Sequence, residues 1–184
     1  MDKKNIFEDL IKLYLTIDSK WYQIALQYGF LCKGCVDNCC QSLFFHHTFI
    51  EKAYLISGFK LLSSNKQKDI IKKAEEYCTK VFDSNSNFSQ KTKIICPLNE
   101  NGLCILYQYR PMICRLHGLP HELLKSDSKI IKFSGCKAGL FENKKYIKFD
   151  RTPFYKQMAL IEMEFRKNEN KVKRIKETIA HMLI

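Results

Sequence analysis

Residues 96–118 read CPLNENGLCILYQYRPMICRLHG. Three cysteines, Cys96, Cys104 and Cys114, stand in this stretch at intervals of eight and ten residues. Each lies near a residue that shapes backbone: Pro97 after the first, Gly102 before the second, Pro111 before the third. Proline fixes φ and glycine reaches conformations closed to other residues, so these thiols have ligand spacing on a stiffened loop. A second cluster, Cys32, Cys35, Cys39 and Cys40, lies upstream, and Cys136 follows Gly135 downstream. The eight thiols read as one composite metal site.

Working outward, 184 residues suit one domain that buries roughly 70% of its unfolded surface. With 46% hydrophobic and 27% charged residues the composition is that of a soluble globular protein. No apolar run approaches the ~18 residues a membrane helix needs, and the opening MDKKNIFEDLIKLY has neither the apolar core nor the cleavage site of a secretory signal. A cytoplasmic protein is expected. Nine cysteines in that compartment point away from disulfides and toward metal. The formal charge of +12 overstates the case for a nucleic-acid partner, because metal-bound thiols lose their protons. The lysines are also spread along predicted helices, as on a solvated face.

Apolar residues at Leu10, Leu13, Ile17, Trp21, Ile24 and Tyr28 recur in steps of three or four and predict a helix over about 4–28, with a bend near Asp18 and an end at Gly29. The first cysteine cluster follows at once. Cys32 and Cys35 are separated by Lys-Gly, which lets both sulfurs turn toward one metal. Cys39 and Cys40 are adjacent, and neighbouring side chains of an extended segment point to opposite sides, which suits two metal ions or two edges of a cluster. Thr48-Phe-Ile-Glu51 and Ser64-Asn-Lys-Gln67 are capping-box patterns that start two further helices. On the later one Ile70, Ile71, Ala74, Tyr77, Cys78, Val81 and Phe82 share an apolar face, so Cys78 reads as a small core residue and stays outside the ligand set. The polar stretch 83–90 reads as a surface loop. Residues 129–134 and 145–149 each look like a strand and flank Cys136 as a hairpin. Phe154, Met158, Ile161 and Phe165 mark another helix, and Val172, Ile175, Ile179 and Met182 a last one, with a break at 168–170.

These motifs resemble the YkgJ-like cysteine-cluster proteins, described as zinc- or iron-chelating domains. Their pattern of C-x2-C-x3-CC, C-P, G-x-C, Y-x2-R-P-x2-C-R and a final cysteine stands here as Cys32, Cys35, Cys39, Cys40, Cys96-Pro97, Gly102-Leu-Cys104, Tyr107, Arg110-Pro111, Cys114-Arg115 and Cys136. The match spans about residues 30–140. The resemblance implies metal chelation by thiolates. Some members look like flagellin lysine N-methylases, which use S-adenosylmethionine and carry an iron–sulfur cluster, but this chain has no G-x-G-x-x-G loop after a strand to hold the methyl donor.

Soft thiolates suit zinc or iron–sulfur chemistry over magnesium or calcium. Eight of them divide into two zinc sites, or into one four-iron cluster with four thiols remaining. The vicinal pair and the family precedent favour a 4Fe–4S cluster. Arg110 and Arg115 are candidates to donate to the sulfurs and offset their charge, Tyr107 reads as a packed tyrosine beside the site, and His117, three residues after Cys114, as a metal or thiolate partner. His121, His46 and His47 are weaker candidates. A cysteine nucleophile activated by His117 would explain one cysteine and leave seven.

The expectation is therefore a mainly α, single small domain over 1–184, with one short β-hairpin and cysteine-rich loops converging on a metal centre. Its function would be metal binding, structural and open to redox or metal transfer; the alternative is an iron–sulfur-dependent enzyme resembling the flagellin methylases.

Overall fold

The computed structural model describes residues 3–32, 39–82, 94–125, 127–168 and 174–184, without the side chains of residues 3–6, 39, 82 and 168. It is mainly helical, as expected, with six α-helices and two short antiparallel hairpins among the described residues. No described helix is long and apolar enough to cross a membrane. The contacts gather the chain into two compact units, Met1–Asp37 with Met112–Val172 and Asn38–Pro111 with Lys173–Ile184.

In the first unit, helix α1 spans Lys3–Tyr28. Leu10, Leu13, Ile17, Ile24 and Tyr28 are all buried, as their spacing requires. The helix runs without interruption through Asp18. It ends where predicted, with Gly29 at φ 60°. There the N–H of Phe30 donates to Ala25 (2.8 Å) and that of Gly29 to Leu26 (2.9 Å), the paired bonds of a Schellman cap. Helices α4 (Met112–Leu116) and α5 (Thr152–Asn168) pack on α1. Met158 and Phe165 are the buried residues of the predicted α5 face.

Strand β4, Ile130–Phe133, forms where expected, but its partner is β3, His121–Leu124, and not residues 145–149. The observed pairing closes across a turn in which the Lys125 N–H donates to Lys129 (2.8 Å) and the Ser128 N–H to Lys125 (3.1 Å). A shorter loop costs less entropy to close. The chain after 145 runs along the other edge of β3 instead: the Glu122 N–H donates to Phe149 (2.9 Å), and the Arg151 N–H to Glu122 (3.0 Å).

In the second unit, α2 spans Phe49–Phe59 and α3 spans Ser64–Phe82. Thr48 is the residue before α2 as predicted, but its hydroxyl donates to the Glu51 carboxylate at 2.5 Å and makes no capping bond to a backbone N–H, so the two side chains pair with each other. Before α3 the cap is Ser63, one residue earlier than predicted. Its hydroxyl accepts from the Lys66 N–H (3.4 Å), while the Gln67 side chain donates to the Leu62 carbonyl (2.7 Å). Ile70, Ala74, Tyr77 and Val81 form a core with Leu55, Phe59, Leu98, Leu106 and Met182, against which Cys78 is partly buried. The predicted loop 83–90 lies outside the described residues.

The last helix is shorter than its periodicity suggested. Val172 is not described, Ile175 lies outside any helix, and α6 spans only Ile179–Leu183. Backbone pairing between His46 and Glu177 (2.7 and 3.0 Å) holds the preceding residues extended. Thr178 then caps the helix by accepting from the His181 N–H.

On α2, a Cβ added at Gly58 would lie 2.2 Å from Cγ of Tyr109. Alanine in mid-helix gains about 1 kcal/mol over glycine, whereas overpacking costs about 1–3 kcal/mol. The ring, itself 4.9 Å from that of Tyr54, has to move. Gly58→Ala is predicted to lose stability by about 1 kcal/mol in urea unfolding; a gain would contradict this packing.

Candidate metal centre

Three predicted ligands of the second unit lie around one hairpin. Strands β1 (Asn99–Glu100) and β2 (Leu103–Cys104) are joined by Asn101 at φ 51° and Gly102 at φ 86°. Two positive φ values define the tight turn whose twist matches paired strands, and Asn-Gly is its preferred sequence. The register sets Asn99 opposite Cys104. At the foot of the hairpin the Cys96 N–H donates to the Cys40 carbonyl at 2.8 Å, and the Cys96 carbonyl accepts from the Asn99 N–H at 2.9 Å. Cys40 and Cys104 are thereby placed near Cys96.

Burial pushes the Cys96 thiol up to about 12, against a backbone hydrogen bond from Leu98 that favours the thiolate; the neighbouring Cys40 and Cys104 raise it further. Tyr77, on α3, was not foreseen here. Its hydroxyl is pushed up to about 12, first by burial and then by Cys96 and Cys78. No sequence spacing links Tyr77 to Cys96; only the packing of α3 does. Burial also raises the Cys78 thiol.

The first unit holds the other predicted thiols. Cys32 is exposed, three residues beyond the cap of α1. Cys114 is partly buried on α4. Cys136 is fixed by its N–H, which donates to the Gly118 carbonyl at 2.8 Å. Gly135 permits that approach, since a Cβ there would stand 2.7 Å from the Pro120 nitrogen and 2.8 Å from the Gly118 oxygen. Cys35 and the side chain of Cys39 lie outside the described residues. Among the described residues, Cys32, Cys114 and Cys136 belong to one unit, and Cys39, Cys40, Cys96 and Cys104 to the other.

The predicted supporting residues are placed as follows. Arg115 is buried, with Nη1 donating to Asp18 at 2.5 Å and its guanidinium 4.0 Å over the Tyr14 ring, so it ties α4 to α1. Arg110 covers the Tyr107 ring at 3.6 Å. Tyr107 itself is 53% exposed and not the packed tyrosine expected; Tyr109 takes the place against α2. The His117 carbonyl accepts from Trp21 Nε1 at 2.9 Å. Burial and then the charge of Arg151 hold its imidazole below the usual range. His46 is buried and likewise lowered by burial, and His47 is exposed. His121 stacks on Phe133 with ring centres 4.4 Å apart.

Among the described residues no three His, Cys, Asp or Glu side chains stand together as a group that could hold a metal ion. None of the seven described cysteines is in a disulfide. The donor set nevertheless suits a thiolate-bound metal: three soft thiols, a backbone N–H given to one sulfur, and the buried Asn99 Nδ2, opposite Cys104, as a donor without an acceptor. A surface depression of about 440 Å³ on α1, lined by Leu15, Thr16, Ser19, Lys20 and Gln23, contains none of these residues. No family model, curated protein or solved structure matches the chain.

His121 is lowered to about 4 by burial, then by Arg151. Its folded pKa therefore lies below the ~6.5 of an unfolded histidine. The folded protein binds fewer protons between those values, so this contribution to stability is complete above pH ~6.5 and is lost as pH falls toward 4. In an NMR titration the His121 ring resonances should hold still down to pH ~5 and move with a midpoint near 4. A midpoint near 6.5 would contradict the burial.

Proposed function

We propose that the chain is a thiolate-ligated metal-binding protein that holds zinc or an iron–sulfur cluster. The metal ties the cysteine loops together and gives the protein a redox or metal-transfer role. The observation that carries this reading is that Cys40 and Cys104 both stand near Cys96 beside the Asn-Gly hairpin. Buried thiols without a metal stay protonated, whereas a coordinated thiol gives up its proton.

The resemblance to YkgJ-like cysteine-cluster proteins supports the same ligands and extends them to Cys32, Cys35, Cys39, Cys114 and Cys136. We take the eight as two centres of four thiolates each. Two four-coordinate zinc sites, or cluster sites of four cysteines, have that ligand count. Such ligands are drawn together by the metal itself, so binding and folding are coupled. The cytoplasm, where thiols stay reduced, is the compartment that suits this chemistry.

The test is metal content after anaerobic purification, read as zinc, iron and acid-labile sulfide per chain in the wild type and three variants. Cys96→Ser with Cys104→Ser should remove about half of the metal, and Cys114→Ser with Cys136→Ser the other half, as two four-thiolate centres require. Cys78→Ser should change nothing. Loss of all metal in either double variant would replace two centres by one. Absence of metal from the wild type, before and after reconstitution, would overturn the function.

A further inference from the structure

Helix α1 carries a second apolar face besides the one it buries. Its exposed large apolar side chains are Ile11, Leu15, Tyr22 and Leu26, at 37%, 64%, 57% and 60% exposure. At 3.6 residues per turn these four fall within an arc of about 60°, next to the arc that Leu10, Leu13, Ile17 and Ile24 bury. Every other exposed position from Glu8 to Gln27 is polar. Scattered exposed leucines need no explanation, whereas apolar side chains gathered on one face mark a contact surface.

The stripe is symmetric about its own middle. Ile11 and Leu26 are equally far from the point between Asp18 and Ser19, and so are Leu15 and Tyr22. A two-fold axis through that point, perpendicular to the helix, sets Ile11 of one copy against Leu26 of another and Leu15 against Tyr22. Each contact is then made twice, as a self-complementary interface requires. The residues at the crossing permit it: Ser19 is small, and the charge of Asp18 is already balanced by Arg115 at 2.5 Å. The depression along Leu15, Ser19 and Gln23 opens beside the Leu15 contact and leaves room for the Tyr22 ring of the second copy. A parallel pairing would instead set Glu8 against Glu8 and Lys12 against Lys12, and would align the two helix dipoles. The charges beside the stripe carry both signs, Glu8 and Asp9 with Lys12 and Lys20, so it lacks the basic face that an anionic membrane attracts.

We infer that the exposed stripe of α1 is a self-association surface, on which a second copy of this chain docks with its own α1 antiparallel to the first. The inference does not rest on the metal-binding reading. Removal of the four apolar side chains of each copy from water drives the association. One helix face is at the small end of specific interfaces, so the dimer is reversible and of micromolar affinity.

The experiment is sedimentation equilibrium of the full chain between about 1 and about 200 µM. A thiol reductant is present throughout, to exclude dimers made by disulfides through an exposed cysteine such as Cys32. Wild type should pass reversibly from monomer to dimer across that range. Leu15→Lys, or Tyr22→Lys where the first variant fails to fold, should raise the dissociation constant about tenfold or more. Leu160→Lys, at an apolar residue of α5 that is 66% exposed, should leave it unchanged. Leu15→Glu combined with Tyr22→Lys should associate more tightly than Leu15→Lys combined with Tyr22→Lys, because the antiparallel register sets position 15 of one copy against position 22 of the other. A wild type that stays monomeric throughout, a dimer indifferent to both single variants or weakened as much by Leu160→Lys, or equal association of the two double variants would overturn the inference, whatever metal the protein holds.

Discussion

The hydrogen bond from the Cys96 N–H to the Cys40 carbonyl, 2.8 Å long, joins the two cysteine-rich stretches of the second unit. It sets the vicinal pair beside the CPLNENGLC hairpin, and the hairpin returns the chain so that Cys104 comes back toward Cys96. The geometry depends on the left-handed Asn101-Gly102 turn, which only a few residue types adopt at low cost. Around those contacts Leu98 gives its N–H to the Cys96 sulfur, Tyr77 stands close enough to feel the charge of Cys96, and α3 contributes to the apolar core beside them.

In the first unit the corresponding constraint is made by side chains. Arg115 reaches from α4 to Asp18 and Tyr14 on α1, and Trp21 reaches back to the His117 carbonyl. These contacts hold the short α4, too brief to be stable alone, on the long helix that precedes the first cysteine cluster.

The helices were the readable part of the sequence. The period of α1 and its terminal glycine predicted both its buried face and its cap, because both are set by local backbone chemistry. The α3 face was equally legible, with Cys78 partly buried against the core it forms. Where local pattern met a tertiary competitor it failed. The 172–182 periodicity lost to backbone pairing at Glu177, and the 145–149 strand lost its expected partner to a shorter turn. Tyr107, expected to pack, is exposed, and Tyr109, two residues on, packs against α2. The unit boundaries, after Asp37 and Pro111, fall between residues that are neighbours in the cysteine motifs, which no local pattern marks.

Metal-edge X-ray absorption on the protein isolated without oxygen tests the central claim most directly. Thiolate ligation predicts a first shell of about four sulfurs near 2.3 Å from the metal. A shell dominated by nitrogen or oxygen near 2.0–2.1 Å, or a protein with no metal to measure, would contradict it.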